Sequence, residues 1–253
     1  MELSLQNKIA FVSGSSRGIG FAIAKELALH GARVILASRN KENLEKAQAE
    51  IEAAGGTAFF EVVHFGKPEQ IQACVERVLQ QHSKIDILVN NFGFNPVHTP
   101  LEEITLDHWQ KMLDYNLTQY FFTSKLVIPS MKKQNYGKII NISSHSSTKV
   151  FPNFGAYGIN KAGIDMLTKV LAAELADHNI NVNGIAPGYV ETDFNQHRED
   201  VKDKKNLASV IPLHHIGVPQ DIAPLAAFLA SDISRYITAE VVIADGGYSR
   251  IHQ

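Results

Sequence analysis

The chain of 253 residues holds a single cysteine, Cys74. One thiol cannot close an internal disulfide or build a zinc site, and Cys74 falls in an amphipathic segment that suits a small buried residue, so it reads as inert. Charge of one sign is scarce too: the formal net charge is -2, and no basic block exceeds Lys202, Lys204 and Lys205. The electrostatic footprint of a nucleic-acid binder is missing. No apolar run approaches a membrane span, and Met1 to Lys8 lacks the basic-then-apolar pattern of a leader. The expectation is cytoplasmic residence with neither a membrane nor a nucleic-acid partner. No repeat or low-complexity tract interrupts the chain, and 45% hydrophobic with 20% charged residues is ordinary globular composition.

What is present is a βαβ rhythm. Short apolar runs at Ile9 to Ser13, Arg33 to Ala37, Thr57 to Val63, Asp86 to Val89, Lys138 to Ile142, Asn181 to Ala186 and Val241 to Ala244 alternate with helical patterns. Those helical patterns cover Gly18 to His30, Lys41 to Ala54, Pro68 to about His82, Leu106 to about Lys132 and Ala156 to about His178. Strands apolar throughout belong to a parallel sheet covered on both faces. The predicted fold is α/β, a single doubly wound domain over residues 1–253 with a seven-stranded parallel sheet. The longest irregular stretch, residues 187–219, is assigned to a substrate loop or lid.

Gly14, Gly18 and Gly20 lie in Ser13-Gly14-Ser15-Ser16-Arg17-Gly18-Ile19-Gly20, between the first strand and the first helix. Glycines there let backbone approach a pyrophosphate at the helix N-terminus, although a tight turn without a ligand fits a lone glycine triplet equally well. The second strand ends in Ala37-Ser38-Arg39, with no carboxylate to accept the adenosine ribose 2′-hydroxyl. Arg39 could meet a 2′-phosphate in bidentate fashion, Ser38 could donate a hydroxyl, and Arg17 adds positive charge, so NADP(H) is expected over NAD(H).

Tyr157 and Lys161 stand at i and i+4 on a helix, thirteen residues beyond Ser144. An ammonium about 5 Å from a phenol, at an effective dielectric of about 20, favours the phenolate by roughly 3 kcal/mol, or some two pKa units. A position near the helix start pushes the same way. An exposed Tyr-Lys contact is the plain alternative.

Taken together these residues resemble the short-chain dehydrogenases/reductases, and the likeness covers nearly the whole chain. It is carried by Gly14 to Gly20, Asn90-Asn91-Phe92-Gly93, Asn116, Asn141-Ile142-Ser143-Ser144, Tyr157 with Lys161, Pro187-Gly188, Thr192 and Asp245-Gly246-Gly247. The resemblance implies a single-domain Rossmann fold, a homotetramer joined through the long helices and the last strand, and a catalytic set of Asn116, Ser144, Tyr157 and Lys161. Asn116 would support a water chain to Lys161. Cofactor contacts implied are Gly14, Ser16, Arg17, Gly18, Ile19, Gly20, Ser38, Arg39, His64, Phe65, Asn90, Tyr157, Lys161, Pro187, Gly188, Val190 and Thr192. Of these, Thr192 and the backbone around Val190 would hold the nicotinamide carboxamide, and Asn90 would support the ribose side.

The chain departs from the family pattern in places. His64-Phe65 stands where Asp-Val is frequent, and Phe92 replaces a small residue, which places a ring where it would narrow the site. Asn135 and His178 fall about where 3-oxoacyl-carrier-protein reductases place two carrier-docking arginines, which disfavours a carrier-protein substrate. Phe94, Pro96, His145, Phe151, Phe154, Tyr189 and Phe194 form an aromatic, weakly polar set suited to a compact apolar ketone or a carbonyl bearing a ring. His214-His215 lacks partners at ligand spacing, and no metal is expected. The expected activity is hydride transfer between NADP(H) and a small carbonyl or alcohol substrate, as an NADPH-dependent carbonyl reductase. The alternatives are 3-oxoacyl-carrier-protein reduction, or a sensor or scaffold that binds NADP(H) without turnover.

Overall fold

In the computed structural model, which describes residues 3–93, 98–192 and 203–251, every residue of β1 (Ile9–Ser13) is buried. The other strands are β2 (Arg33–Ser38), β3 (Thr57–Val62), β4 (Ile87–Asn90), β5 (Gly137–Ile142), β6 (Ile180–Pro187) and β7 (Val241–Ala244). They form one parallel sheet in the order β3-β2-β1-β4-β5-β6-β7. The chain winds outward from β1 to β3, then crosses to β4 on the other side of β1, so the direction of winding reverses between β1 and β4.

The helices are α1 (Gly18–Leu29), α2 (Lys41–Ala53), α3 (Pro68–His82), α4 (Leu106–Leu113), α5 (Gln119–Gln134), α6 (Gly155–Leu175), α7 (Lys204–Val210), α8 (Pro219–Ala230) and α9 (Tyr248–Ile251). Alternate strand residues serve opposite faces. Ala10, Val12, Val34 and Leu36 pack with Ile23 and Leu27 of α1, Leu44 and Ile51 of α2, and Ile222 of α8. Ile9, Phe11, Ile35 and Leu88 pack with Val75 of α3, Val127 and Met131 of α5, and Leu171 of α6. Each such aliphatic burial stabilises by about 1.5–3 kcal/mol. Cys74 belongs to the second layer, and burial pushes its thiol up to about 12, as an inert core residue requires.

Two boundaries differ from the sequence expectation for physical reasons. The strand expected from Asp86 begins at Ile87, because the buried Asp86 carboxylate accepts from the Ile9 amide at 2.8 Å and from Lys84 Nζ at 2.9 Å, tying the starts of β1 and β4 together. The long helix expected from Leu106 to Lys132 is interrupted at Asp114–Thr118 by a π-helical turn between α4 and α5. Such turns recur at functional sites, and this one carries Asn116. The 187–219 stretch is less irregular than expected: it contains α7 and a bridge pairing Val190 with Gly217, while residues 193–202 lie outside those described.

Candidate active site

The glycine loop sits at the winding reversal, at the C-terminal ends of β1 and β4. Gly14 and Gly18 have φ of 65° and 60°, in the left-handed region. Gly20 is needed for closeness: a Cβ there would lie 2.4 Å from the Gly14 carbonyl oxygen and from Asn91 Nδ2. Asn91 clamps the loop, donating from Nδ2 to the carbonyls of Ser13 at 3.0 Å and Gly14 at 3.1 Å. Ser13 Oγ accepts from the Asn91 and Phe92 amides, and Ser15 Oγ from the Ala37 amide. Loop shape is thus set by the ends of three strands. The first turn of α1 carries no side-chain cap and no carboxylate, so its amides are suited to an anion. These features fit the pyrophosphate of a dinucleotide.

At the end of β2, Ser16 Oγ donates to Ser38 Oγ at 3.0 Å, which brings the glycine loop and the expected 2′-phosphate position together. Arg39 is exposed beside them. His64 faces the same region: its pKa is lowered by burial first and by the Arg39 charge second, and its Nδ1 accepts from the Gly66 amide. Ile19 is half-buried against the α1 layer.

Three expected cofactor residues are revised in how they can contribute. The Phe65 side chain is 1% exposed and its ring stacks on Phe92 at 5.3 Å, so it is core and only its backbone is left for a ligand. The Asn90 side chain is 0% exposed and donates to Asn141 Oδ1 and Ser124 Oγ, bracing the strand end from beneath. Val190 is buried in the α1 layer, which again leaves its backbone. Thr192 reaches the glycine loop, since a Cβ on Gly18 would meet its Cγ2 at 3.4 Å. Pro187-Gly188 packs on Asp245, a Cβ on Gly188 falling 2.5 Å from Asp245 Cβ. The expectation that Phe92 narrows the site is also revised: its ring packs with Phe65 and with Tyr115, at 6.2 Å from the latter.

The candidate catalytic side chains gather beyond the C-terminal end of β5, in the same sheet as β1. Ser144 follows β5 and caps a one-turn 3-10 helix, its Oγ accepting from the Ser146 amide at 3.1 Å. That turn packs flush on α6 beside Tyr157, where a Cβ on Gly158 would sit 2.9 Å from the Ser146 carbonyl oxygen. Ser143 Oγ donates to the Lys161 carbonyl and adds a second fastening. Lys161 Nζ is 5.5 Å from the Tyr157 ring centroid and donates to the Ile142 carbonyl at 2.9 Å. Asn116 is 0% exposed, with Nδ2 donating to the Met112 carbonyl at 3.0 Å and Oδ1 facing Gly93. The π turn that carries it packs on α6 at Gly163.

Burial pushes the Lys161 amine down to about 7, opposed by the Asp165 charge. The electrostatic argument made for Tyr157 therefore operates fully only while Lys161 keeps its proton, a condition set by burial that residue spacing did not reveal.

Around these groups the rings form two clusters. Phe154 packs 4.7 Å from Tyr157, centroid to centroid. His145 contacts Phe151 and Tyr189, both at 5.1 Å, and Tyr248 at 5.7 Å. Phe94, Pro96 and Phe194 lie outside the described residues. A cavity of about 100 Å³ opens beside Tyr157, lined by Glu103, His108, Met112, Asn153 and Phe154 among others. Sequence reasoning missed the clamp role of Asn91, together with Tyr120 and Tyr248. The Asn90-Asn91 doublet was a usable signal for the first, but no local pattern marks the other two.

A phosphate-suited loop after β1, and a serine with a tyrosine–lysine pair beyond β5, stand at the C-terminal edge of one sheet, an arrangement suited to an oxidoreductase acting on CH–OH or carbonyl groups. A family profile described as enoyl-(acyl carrier protein) reductase matches residues 14–249. Dehydrogenase/reductase SDR family member 4 of Oryctolagus cuniculus is 37% identical over 244 residues, covering 96% of this chain and 94% of that protein. The Caenorhabditis elegans protein of the same name is 38% identical over 247 residues, covering 96% and 95%. A gluconate 5-dehydrogenase from Burkholderia cenocepacia, solved with NADP and tartrate, superposes with a TM-score of 0.91 at 31% identity, covering 98% of this chain and 97% of that one. The chain belongs to the short-chain dehydrogenase/reductase family, whose members bind a nicotinamide cofactor.

Proposed function

We propose that this protein is an NADP(H)-dependent carbonyl reductase, working in reverse as an alcohol dehydrogenase. The observation that carries the reading is the placement of Tyr157 and Lys161 on one face of α6, with the Ser144 turn packed against that helix, in one sheet with a glycine loop beside which β2 ends in Ser38 and Arg39 without a carboxylate. A bound nicotinamide would supply the hydride taken up by the carbonyl carbon. Gly14, Ser16, Arg17, Gly18, Ile19 and Gly20 would cradle the pyrophosphate. Ser38 and Arg39 would meet the 2′-phosphate, with His64 beside them. Asn90 would support the ribose side from beneath, while Pro187, Gly188, Val190 and Thr192 would border the carboxamide.

Ser144 holds the substrate oxygen by a hydrogen bond, and Tyr157 donates the proton to that oxygen. Lys161 would hold the ribose and, as the ammonium, eases proton loss from Tyr157. Asn116 keeps the proton supply to Lys161 ordered. In the alcohol direction each proton moves the opposite way. The aromatic set of His145, Phe151, Phe154 and Tyr189 suits a compact apolar ketone or a carbonyl attached to a ring. The 187–219 segment is the proposed substrate loop.

A homotetramer is proposed with this function. Its support is the open edge of β7 and the exposed apolar residues Phe121 on α5 and Ile159, Met166 and Val170 on α6. Mass measurement in solution tests it, and a monomer would dismiss it. Cytoplasmic residence is proposed likewise; no described helix is long and apolar enough to cross a membrane.

The decisive experiment is Tyr157→Phe assayed by NADPH oxidation against a panel of ketones and diketones. Cofactor affinity is expected to stay within about threefold while turnover falls below roughly a tenth. Turnover above that level would remove Tyr157 from the proton step, and a parent enzyme inert on every carbonyl would favour a binding protein without turnover.

A further inference from the structure

We propose that Tyr120 is a positioning residue for Lys161, tuning the amine beside Tyr157 by sharing its carbonyl acceptor and by placing a ring under it; the inference rests on the reductase reading above. Tyr120 lies four residues beyond Asn116, in the first turn of α5, and is 0% exposed. Its hydroxyl donates to the Ile142 carbonyl at 2.9 Å, and Lys161 Nζ donates to the same oxygen at 2.9 Å. A carbonyl oxygen has two lone pairs, so the end of β5 can accept both donors. The Tyr120 ring also lies beneath the amine, with Nζ 5.3 Å from its centroid and 5.5 Å from that of Tyr157. Lys161 is thus flanked by two aromatic rings and anchored on one shared acceptor. Each anchor comes from a different element: β5, α5 and α6 itself.

The two halves of the Tyr120 side chain act on Lys161 in opposite directions. The hydroxyl competes for the Ile142 oxygen and so weakens its hold on an ammonium. The ring favours the cation through its π face. Burial, with the neighbouring Tyr157 adding to it, raises the Tyr120 pKa, so the phenol stays a neutral donor. The groups that face the amine among the described residues are Tyr157 and Asp165 from α6, Tyr120 from α5 and the Ile142 carbonyl from β5. Asp165 is common to every variant considered, so changes at position 120 read out Tyr120 alone.

The test titrates Lys161 directly on the cofactor-free enzyme. Competitive labelling with acetic anhydride at a series of pH values, followed by peptide mass spectrometry, reports the neutral amine without requiring turnover. In the parent the labelling limb is expected at about 7. Tyr120→Phe keeps the ring and deletes the competing donor, so the limb should move up by about half to one pH unit. Tyr120→Leu deletes the ring as well, so its limb should fall below that of the Phe variant by a similar amount. The alkaline limb of kcat for ketone reduction should follow the same order.

A residue that only fills space would lower thermal stability and leave both limbs unmoved, and that result overturns the proposal. Equal shifts in both variants would overturn the ring's part in it. Failure of the wider reading is distinguishable. Limbs that move in a parent inert on every carbonyl refute the reductase and sustain the positioning role, whereas unmoved limbs in an active parent refute the positioning role alone.

Discussion

Replacing Lys161 with Met should stabilise the cofactor-free protein in neutral and mildly acidic solution, and the gain should vanish on the alkaline side. In the folded chain burial pushes the amine down from 10.5 to about 7. An unfolded chain leaves it near its ordinary value, so between those two values the unfolded state binds the extra proton and stability rises with pH. The cost of burial is therefore fully present below about pH 7 and lost as pH approaches about 10.5. Each pKa unit corresponds to about 1.4 kcal/mol, which sets a ceiling of about 5 kcal/mol on the whole shift. Met keeps most of the apolar stem, and the Ile142 carbonyl retains the Tyr120 hydroxyl at 2.9 Å, so the substitution orphans no acceptor there. Urea denaturation at about pH 6, 8 and 10 should show a gain of several kcal/mol that shrinks by about 1.4 kcal/mol per pH unit above 7. In melting temperature each kcal/mol is worth about 2–4 °C for a chain of this size. Turnover should be lost throughout. A gain that does not change with pH, or a loss of stability at the acidic end, would refute the argument from burial.

Two further outcomes follow from the cofactor side of the cleft. Arg39→Asp should lower kcat/KM with NADPH by about 10- to 100-fold and turn preference towards NADH, because a charge-assisted contact is replaced by repulsion; an unchanged ratio of the two efficiencies would mean the 2′-phosphate is read elsewhere. Gly20→Ala places a Cβ 2.4 Å from the Gly14 carbonyl oxygen. A loss of about 1–3 kcal/mol in unfolding free energy and weakened binding of both cofactors should follow, checked by denaturation and fluorescence titration; wild-type values for both would show that the loop yields freely.

Local pattern was enough to read the fold and the family. Parallel-sheet strands advertise themselves by apolar runs such as Ile9 to Ser13, since burial on both faces removes alternation, and Pro68 marked the start of α3. A glycine loop between strand and helix is likewise a local statement about backbone. So is the Tyr157–Lys161 spacing, because four residues on a helix always share a face. Where reading failed, the deciding contact crossed the chain. The π turn at Asp114–Thr118 keeps helical composition on both sides and leaves no trace in periodicity. Phe92 was expected to narrow the site, yet its ring joins Phe65 and Tyr115, a packing that depends on how β3 and β4 flank the cleft.

By itself, then, the order of residues determined the strands, the helices and the kinds of side chain available, because propensity and burial pattern act over a turn or a strand. Only tertiary structure decided which groups meet. Tyr120 and Lys161, 41 positions apart in the chain, share the oxygen of Ile142 because α5 and α6 pack on the same sheet face. The acidity of the Lys161 amine follows from burial, since desolvation comes from neighbours distant along the chain and has no signature in the residues beside it.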